Sequence, residues 1–151
     1  MIKMDFRVRT VEDDFDLGKL RGFMREQPQH YPDYAEWVDS TCLPGIERGE
    51  RKAIVVLSGG IVIGDAVWKY LNKNNIEIKN FRIDAQYQRR DLGNFLMTQV
   101  ARENPGMDLR LDVGVSNFQG VTFFILNGFK IIGCEELYAR GQMEYLMRKS
   151  A

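Results

Sequence analysis

The stretch Phe81-Arg82-Ile83-Asp84-Ala85-Gln86-Tyr87-Gln88-Arg89-Arg90-Asp91-Leu92-Gly93-Asn94-Phe95-Leu96-Met97 decides the fold. It opens as the end of a strand, crosses a polar turn and becomes a helix whose apolar positions Leu92, Phe95, Leu96 and Val100 recur at three-to-four spacing. The strand leading into it, Ile76 to Asp84, changes phase. Ile76 and Ile78 alternate, but the next apolar pair is Phe81 and Ile83, as a β-bulge near Lys79 to Phe81 would produce. Beyond the helix, Asn104-Pro105-Gly106 stops the pattern and Leu109, Leu111, Val113 and Val115 alternate as a further strand. Strand, helix and strand in so short a span predict a right-handed crossover, with the strands around Ile83 and Leu111 as parallel neighbours.

Upstream, Phe6 and Val8 alternate with Arg7 and Arg9 as a first strand, and Glu12-Asp13-Asp14 opens a helix that runs to about Gln27. Tyr34, Trp37, Val38 and Cys42 continue in helical spacing until Pro44-Gly45 and Gly49 weaken it. Ala53 to Leu57 and Ile61 to Leu71 flank the hairpin signal Ser58-Gly59-Gly60. Downstream, Val121, Phe124 and Ile125 mark a helix that Asn127-Gly128 closes with a left-handed cap, and Phe129 to Cys134 and Gln142 to Arg148 are expected as an antiparallel pair.

The 151 residues suit one domain spanning 1–151, and no internal repeat or linker divides them. Lys plus Arg equals Asp plus Glu at 21 each, so the total charge carries no field for nucleic acid. No apolar run reaches a membrane span, and the chain is expected to be cytoplasmic, with neither a nucleic acid nor a membrane as partner. One histidine, His30, and two scattered cysteines, Cys42 and Cys134, lack metal spacing, so no metal is expected and both thiols read as small buried side chains. A nucleotide-binding doubly wound domain would need Gly-x-Gly-x-x-Gly and repeated parallel crossovers, and the chain shows neither.

The quoted stretch resembles the central motif of the GNAT superfamily of N-acetyltransferases, Gln/Arg-x-x-Gly-x-Gly/Ala between a bulged strand and a helix. Gln88 and Gly93 match it, while Asp91 stands where the first glycine belongs. The resemblance continues through Asn117 after the next strand and through Asn127-Gly128-Phe129, covering about residues 53 to 148. It implies a mixed, mostly antiparallel α/β sheet with one splayed parallel pair and helices on both faces. It also implies acetyl-CoA as acyl donor, with no metal.

From the resemblance, the coenzyme A pyrophosphate meets the backbone N–H groups of Arg89, Arg90, Asp91, Leu92, Gly93 and Asn94, where a helix N-terminus offers unpaired donors and positive potential. The pantetheine arm lies along Phe81, Arg82 and Ile83, with the Ile83 N–H as candidate for polarising the thioester carbonyl. Gln88 belongs to the phosphate motif, and Asn117 caps its helix while touching the pantetheine. Asp91 is a departure, because its carboxylate could cap the same N–H groups and repel a phosphate.

Glu77 takes the position of the family's general base, with a solvent-facing glutamate beside Lys79 as the plain alternative. Phe124 occupies the position of the usual tyrosine acid and cannot donate a proton, which leaves water or Tyr138 to protonate the departing thiolate. Asp33, Tyr34, Glu36, Trp37 and Asp39 either form a solvated helix face with Trp37 packed beneath it or offer acids and aromatics to a cationic amine, a small molecule or a peptide. Met143, Tyr145 and Met147 would serve either the core or a homodimer. The expected activity is transfer of an acetyl group to a primary amine by direct attack in a ternary complex; a non-catalytic acyl-CoA-binding module of the same fold is the alternative.

Overall fold

The computed structural model describes residues 6–29, 31–88 and 91–151; His30, Arg89 and Arg90 lie outside them. The strands are β1 (Phe6–Thr10), β2 (Arg51–Ser58), β3 (Ile61–Asn72), β4 (Asn75–Ile83), β5 (Asp108–Gly114), β6 (Lys130–Glu136) and β7 (Met143–Lys149). They form one seven-stranded sheet in the order β1-β2-β3-β4-β5-β7-β6. Every pairing is antiparallel except β4 with β5, which is the parallel neighbour relation the crossover predicts.

The hairpin between β2 and β3 turns on Gly59 and Gly60, both at positive φ (57° and 81°), as a tight primed turn requires. In β4 the register passes from Val67↔Asn80 to Trp68↔Ile78, leaving Lys79 as the extra residue. The bulge therefore falls inside the window that the phase slip marks, and it moves Phe81 and Ile83 onto the face that holds Ile76 and Ile78.

On that face, α4 (Leu92–Glu103) and α5 (Phe118–Leu126) cover a core of Ile76, Ile78, Leu96, Met97, Val100, Leu111 and Met147. Asn117 caps α5 by accepting from the Gly120 N–H at 3.0 Å. The Phe129 N–H closes its other end on the Phe124 carbonyl, with Gly128 at φ 93°.

The opposite face is covered over β2 and β3 by α1 (Asp14–Glu26), α2 (Tyr34–Trp37) and α3 (Leu43–Glu47), around Leu20, Met24, Val38, Cys42, Val55 and Val67. Helical structure continues past Pro44-Gly45, where the sequence pattern weakens. A wide π turn over Val38–Cys42 runs directly into α3, and the proline sits near that junction within one continuous helical segment. Cys42 is buried as expected, but Cys134 is exposed, because β6 is an edge strand with almost no cover. Met147 is buried and Tyr145 packs against the core, while Met143 is exposed.

Candidate active site

The parallel pair is short. Only Asn75↔Asp108, Ile76↔Leu109 and Glu77↔Arg110 are matched, and beyond Glu77 the two strands part. The direction of the backbone groups in the gap follows from the ladders on either side. The Asp84 N–H donates to the Ile63 carbonyl at 2.8 Å, so alternation directs the backbone of Arg82 and Asn80 to β3 and turns that of Phe81 and Ile83 away from it, toward β5. The Val115 N–H donates to the Met143 carbonyl at 3.0 Å, and the same alternation turns Asp112 and Gly114 toward β4.

Of the three residues expected to line the gap with backbone, Phe81 and Ile83 do so. The Arg82 backbone serves β3, and its guanidinium lies over the Tyr34 ring (4.9 Å) and donates to the Pro28 carbonyl at 2.8 Å. Gln88 folds back so that Nε2 donates to the Ile83 carbonyl at 2.9 Å, which leaves the Ile83 N–H as the group facing the gap at this residue. Gly64, which the motif reading overlooks, backs Ile83: a Cβ there would stand 2.6 Å from Ile83 Cδ1.

At the start of α4, where the motif leads phosphate to be expected, Asp91 has φ 58° and ψ 12°, the left-handed region that favours glycine and that Asp tolerates better than most residues. This accounts physically for the glycine of the motif. It also corrects the expectation of a capping carboxylate, since the Asp91 side chain makes no cap bond. The first bond of the helix runs from the Phe95 N–H to the Asp91 carbonyl at 3.0 Å, so the N–H groups of Leu92, Gly93 and Asn94 precede it. Asn94 Oδ1 accepts from Asn127 Nδ2 at 3.0 Å, tying α4 to the end of α5.

A Cβ on Gly93 would lie 2.8 Å from the Phe123 ring, which packs in a cluster with Phe81 and Phe124 at centroid distances of 5.6 and 5.3 Å. Phe124 also meets the Phe129 ring edge-on at 5.6 Å. Gly93→Ala should therefore lower stability by about 1 kcal/mol, since overpacking outweighs the gain in helix propensity. In a Phe123→Ala background, where the space opens, the same change should raise stability. Melting temperatures of the four proteins check the change of sign.

On the face of the gap not covered by α4 and α5, β5 and β7 present Asp112 and Glu144. Glu144 is fully buried, pairs in register with Gly114, and accepts from Gln142 Nε2 at 2.9 Å and from the Tyr31 hydroxyl at 3.3 Å. Burial above all pushes its carboxyl pKa up, and Asp112 adds to that. The Tyr138 hydroxyl donates to Asp112 at 2.7 Å, and the Tyr31 and Tyr138 rings meet edge-on at 5.1 Å. Burial first, then the bond to Asp112, raises the Tyr138 pKa, so its proton is held toward Asp112.

Glu77 belongs to the same face, but it stands on the last paired rung and accepts from Lys79 Nζ at 2.8 Å. Among the early helices, Asp39 is occupied by Arg21 and Arg25, and Tyr34 is buried against Asn80. Tyr31, just before them, reaches the site. Tyr31, Asp112 and Glu144 escape a motif reading because β7 enters the sheet between β5 and β6, and no local pattern encodes that order.

Among the described residues no group of three or more His, Cys, Asp or Glu could hold a metal ion, and no helix is long and apolar enough to cross a membrane. No protein-family model and no curated protein matches the sequence. Solved structures do. The PaiA N-acetyltransferase from Thermoplasma acidophilum, in complex with coenzyme A, superposes with a TM-score of 0.75 at 18% identity, covering 98% of this chain and all of that one (100%). The ribosomal-protein-S18-alanine N-acetyltransferase from Escherichia coli gives 0.75 at 15% identity, covering 97% and 94% of the two chains. Ard1 from Thermoplasma volcanium gives 0.73 at 19% identity, covering 97% of each. The splayed parallel pair, the bulged strand and the helix opening at Asp91 are thus parts of one known architecture: this chain has the fold of the GNAT acetyltransferases.

Proposed function

We propose that this protein transfers an acetyl group from acetyl-CoA to a primary amine held on the Glu144 face of the gap. The observation that carries the reading is the opened β4–β5 pair, with the backbone of Phe81 and Ile83 turned into it, ending at a helix whose first turn has no side-chain cap. These features suit an extended thioester that ends in a pyrophosphate. Phe81 and Ile83 would hold the arm, and Leu92, Gly93 and Asn94 would meet the phosphates through N–H groups. Arg89 and Arg90 would add charge there.

The donor supplies a thioester carbonyl. The amine nitrogen attacks its carbon, the C–N bond forms as the C–S bond breaks, the nitrogen, positively charged after attack, gives up a second proton, and the sulfur departs as thiolate and takes one up through water. An amine reaches the site protonated, and its proton must leave before attack. Glu144 suits that task better than Glu77, because it stands beside Gly114 where the strands have separated, whereas Glu77 sits on the last closed rung with Lys79. With Phe124 in an aromatic cluster and the Tyr138 proton directed at Asp112, water is the donor the geometry favours for the thiolate. Asp112, Glu144 and the rings of Tyr31 and Tyr138 suit a cationic acceptor.

Calorimetric titration with acetyl-CoA, followed by thiol release across a panel of amines, tests the reading. Saturable binding with amine-dependent release is expected. Binding without transfer would replace it by the acyl-CoA-binding module, and no binding at millimolar donor would overturn both. In the same titration Asp91→Gly should tighten binding about 3- to 10-fold, because it removes a carboxylate from the phosphate end and relaxes a left-handed residue; unchanged or weaker binding would refute that role.

A further inference from the structure

Asp65 lies at the centre of β3 with no exposed surface, a costly place for a carboxylate. Both of its oxygens accept from Asn80 Nδ2, at 3.0 and 2.8 Å, and Asn80 Oδ1 accepts from the Tyr34 hydroxyl at 2.8 Å. Tyr34 in turn carries the Arg82 guanidinium over its ring. The chain of contacts thus starts in β3, crosses to β4 and ends on α2.

Its position along β4 matters. Asn80 is the first residue after the extra residue Lys79, and Arg82 is the next side chain on the same face. Fixing Asn80 and Arg82 on the α2 side fixes where the bulge falls, and so which backbone groups turn into the gap. Without the extra residue the downstream register would slip by one, turning the Asn80 and Arg82 backbone toward the gap and returning that of Phe81 and Ile83 to β3. An apolar pair of similar volume could match this one in stability, but it would lack the directional bonds that tie Asn80 to Asp65.

We propose that Asp65 and Asn80 are positioning residues that lock the β4 bulge at Lys79 and thereby aim the Phe81 and Ile83 backbone at the acyl donor. The proposal rests on the functional reading above for the identity of the donor; the lock itself does not. The titratable and charged groups facing Asp65 are Arg82 from β4, Tyr34 from α2 and Cys42 from the π turn. Burial pushes Cys42 up to about 12 and raises Tyr34 as well, so both stay neutral near neutrality.

The test compares wild type with Asp65→Asn, which keeps the volume and loses one acceptor, and Tyr34→Phe, which keeps the ring over Arg82 and releases the far end of the chain. Amide hydrogen exchange of Asn80 and Arg82, whose N–H groups bond to β3, is followed in the ligand-free proteins, with Leu111 in β5 and Met147 in β7 as the reference. Exchange at Asn80 and Arg82 should rise about tenfold or more relative to the reference amides, and acetyl-CoA should bind about tenfold more weakly. Lowering the pH through neutrality should weaken binding more in wild type than in Asp65→Asn, because a protonated Asp65 loses one acceptor.

Exchange that stays at the wild-type rate in both variants would overturn the lock. Raised exchange with unaltered acetyl-CoA affinity would overturn its role toward the donor. A wild type that binds no acetyl-CoA would remove the functional reading, and the exchange result would still decide the lock.

Discussion

Glu144→Gln is expected to lower kcat for amine acetylation by about 100-fold or more, the range for loss of a general base, with little change in KM for acetyl-CoA. Glutamine keeps the volume, and its amide oxygen can still accept from Tyr31 and Gln142, so the fold should survive. What is lost is a site for the amine's proton. Because burial raises the Glu144 pKa, the wild-type rate should climb with pH as the carboxyl gives up its proton, and the variant should lack that limb. Glu77→Gln is the comparison: the salt bridge to Lys79 on the closed rung predicts a loss of no more than about threefold. A large loss in Glu77→Gln with a mild one in Glu144→Gln would reverse the assignment.

The second large effect concerns stability. Burial raises the Asp65 pKa to about 7, opposed by Asn80 and Arg82, whereas the unfolded chain titrates in the ordinary carboxylate range. The folded protein therefore holds the proton more tightly. Stability from this group is fully present below the unfolded pKa and is lost as pH rises from about 4 through about 7, by up to about 4 kcal/mol at roughly 1.4 kcal/mol per unit. Asp65→Asn should match wild type in melting temperature near pH 4 and exceed it near pH 8. A constant difference between the two proteins across that range would mean that Asp65 stays ionised in the fold. A residue that lowers stability at neutral pH while fixing a functional backbone is the trade-off expected at a working site.

The fold was legible because its deciding features are local. The slip from Ile78 to Phe81 marks the bulge within a residue, and helical spacing around Leu96 together with the strand from Leu109 gives the crossover. The cap at Gly128 and the hairpin at Gly59-Gly60 are written in residue type. The helical segment through Pro44 was harder, because a π turn absorbs what looks like a break.

Of the candidate site, the sequence made legible the side proposed for the donor. Phe81, Ile83, Gly93 and the residue at Asp91 follow from one contiguous motif, although the left-handed backbone that explains Asp91 is not visible in its side chain. The side proposed for the acceptor joins Tyr31, Asp112, Tyr138 and Glu144 through long-range pairing of β5 with β7, and periodicity within any one segment cannot report that.

The three matched rungs between β4 and β5 have a mechanical meaning. They are the narrow seam between two wings of the sheet, β1 to β4 on one side and β5, β7 and β6 on the other, with the core beneath α4 and α5 and the Tyr31 bond to Glu144 as further ties. One wing is built from strands consecutive in the chain, while the other is complete only when the C-terminal strand enters its middle. Whatever lies along the open seam adds the missing rungs, so occupancy of this protein should register as a stiffer and more cooperative sheet.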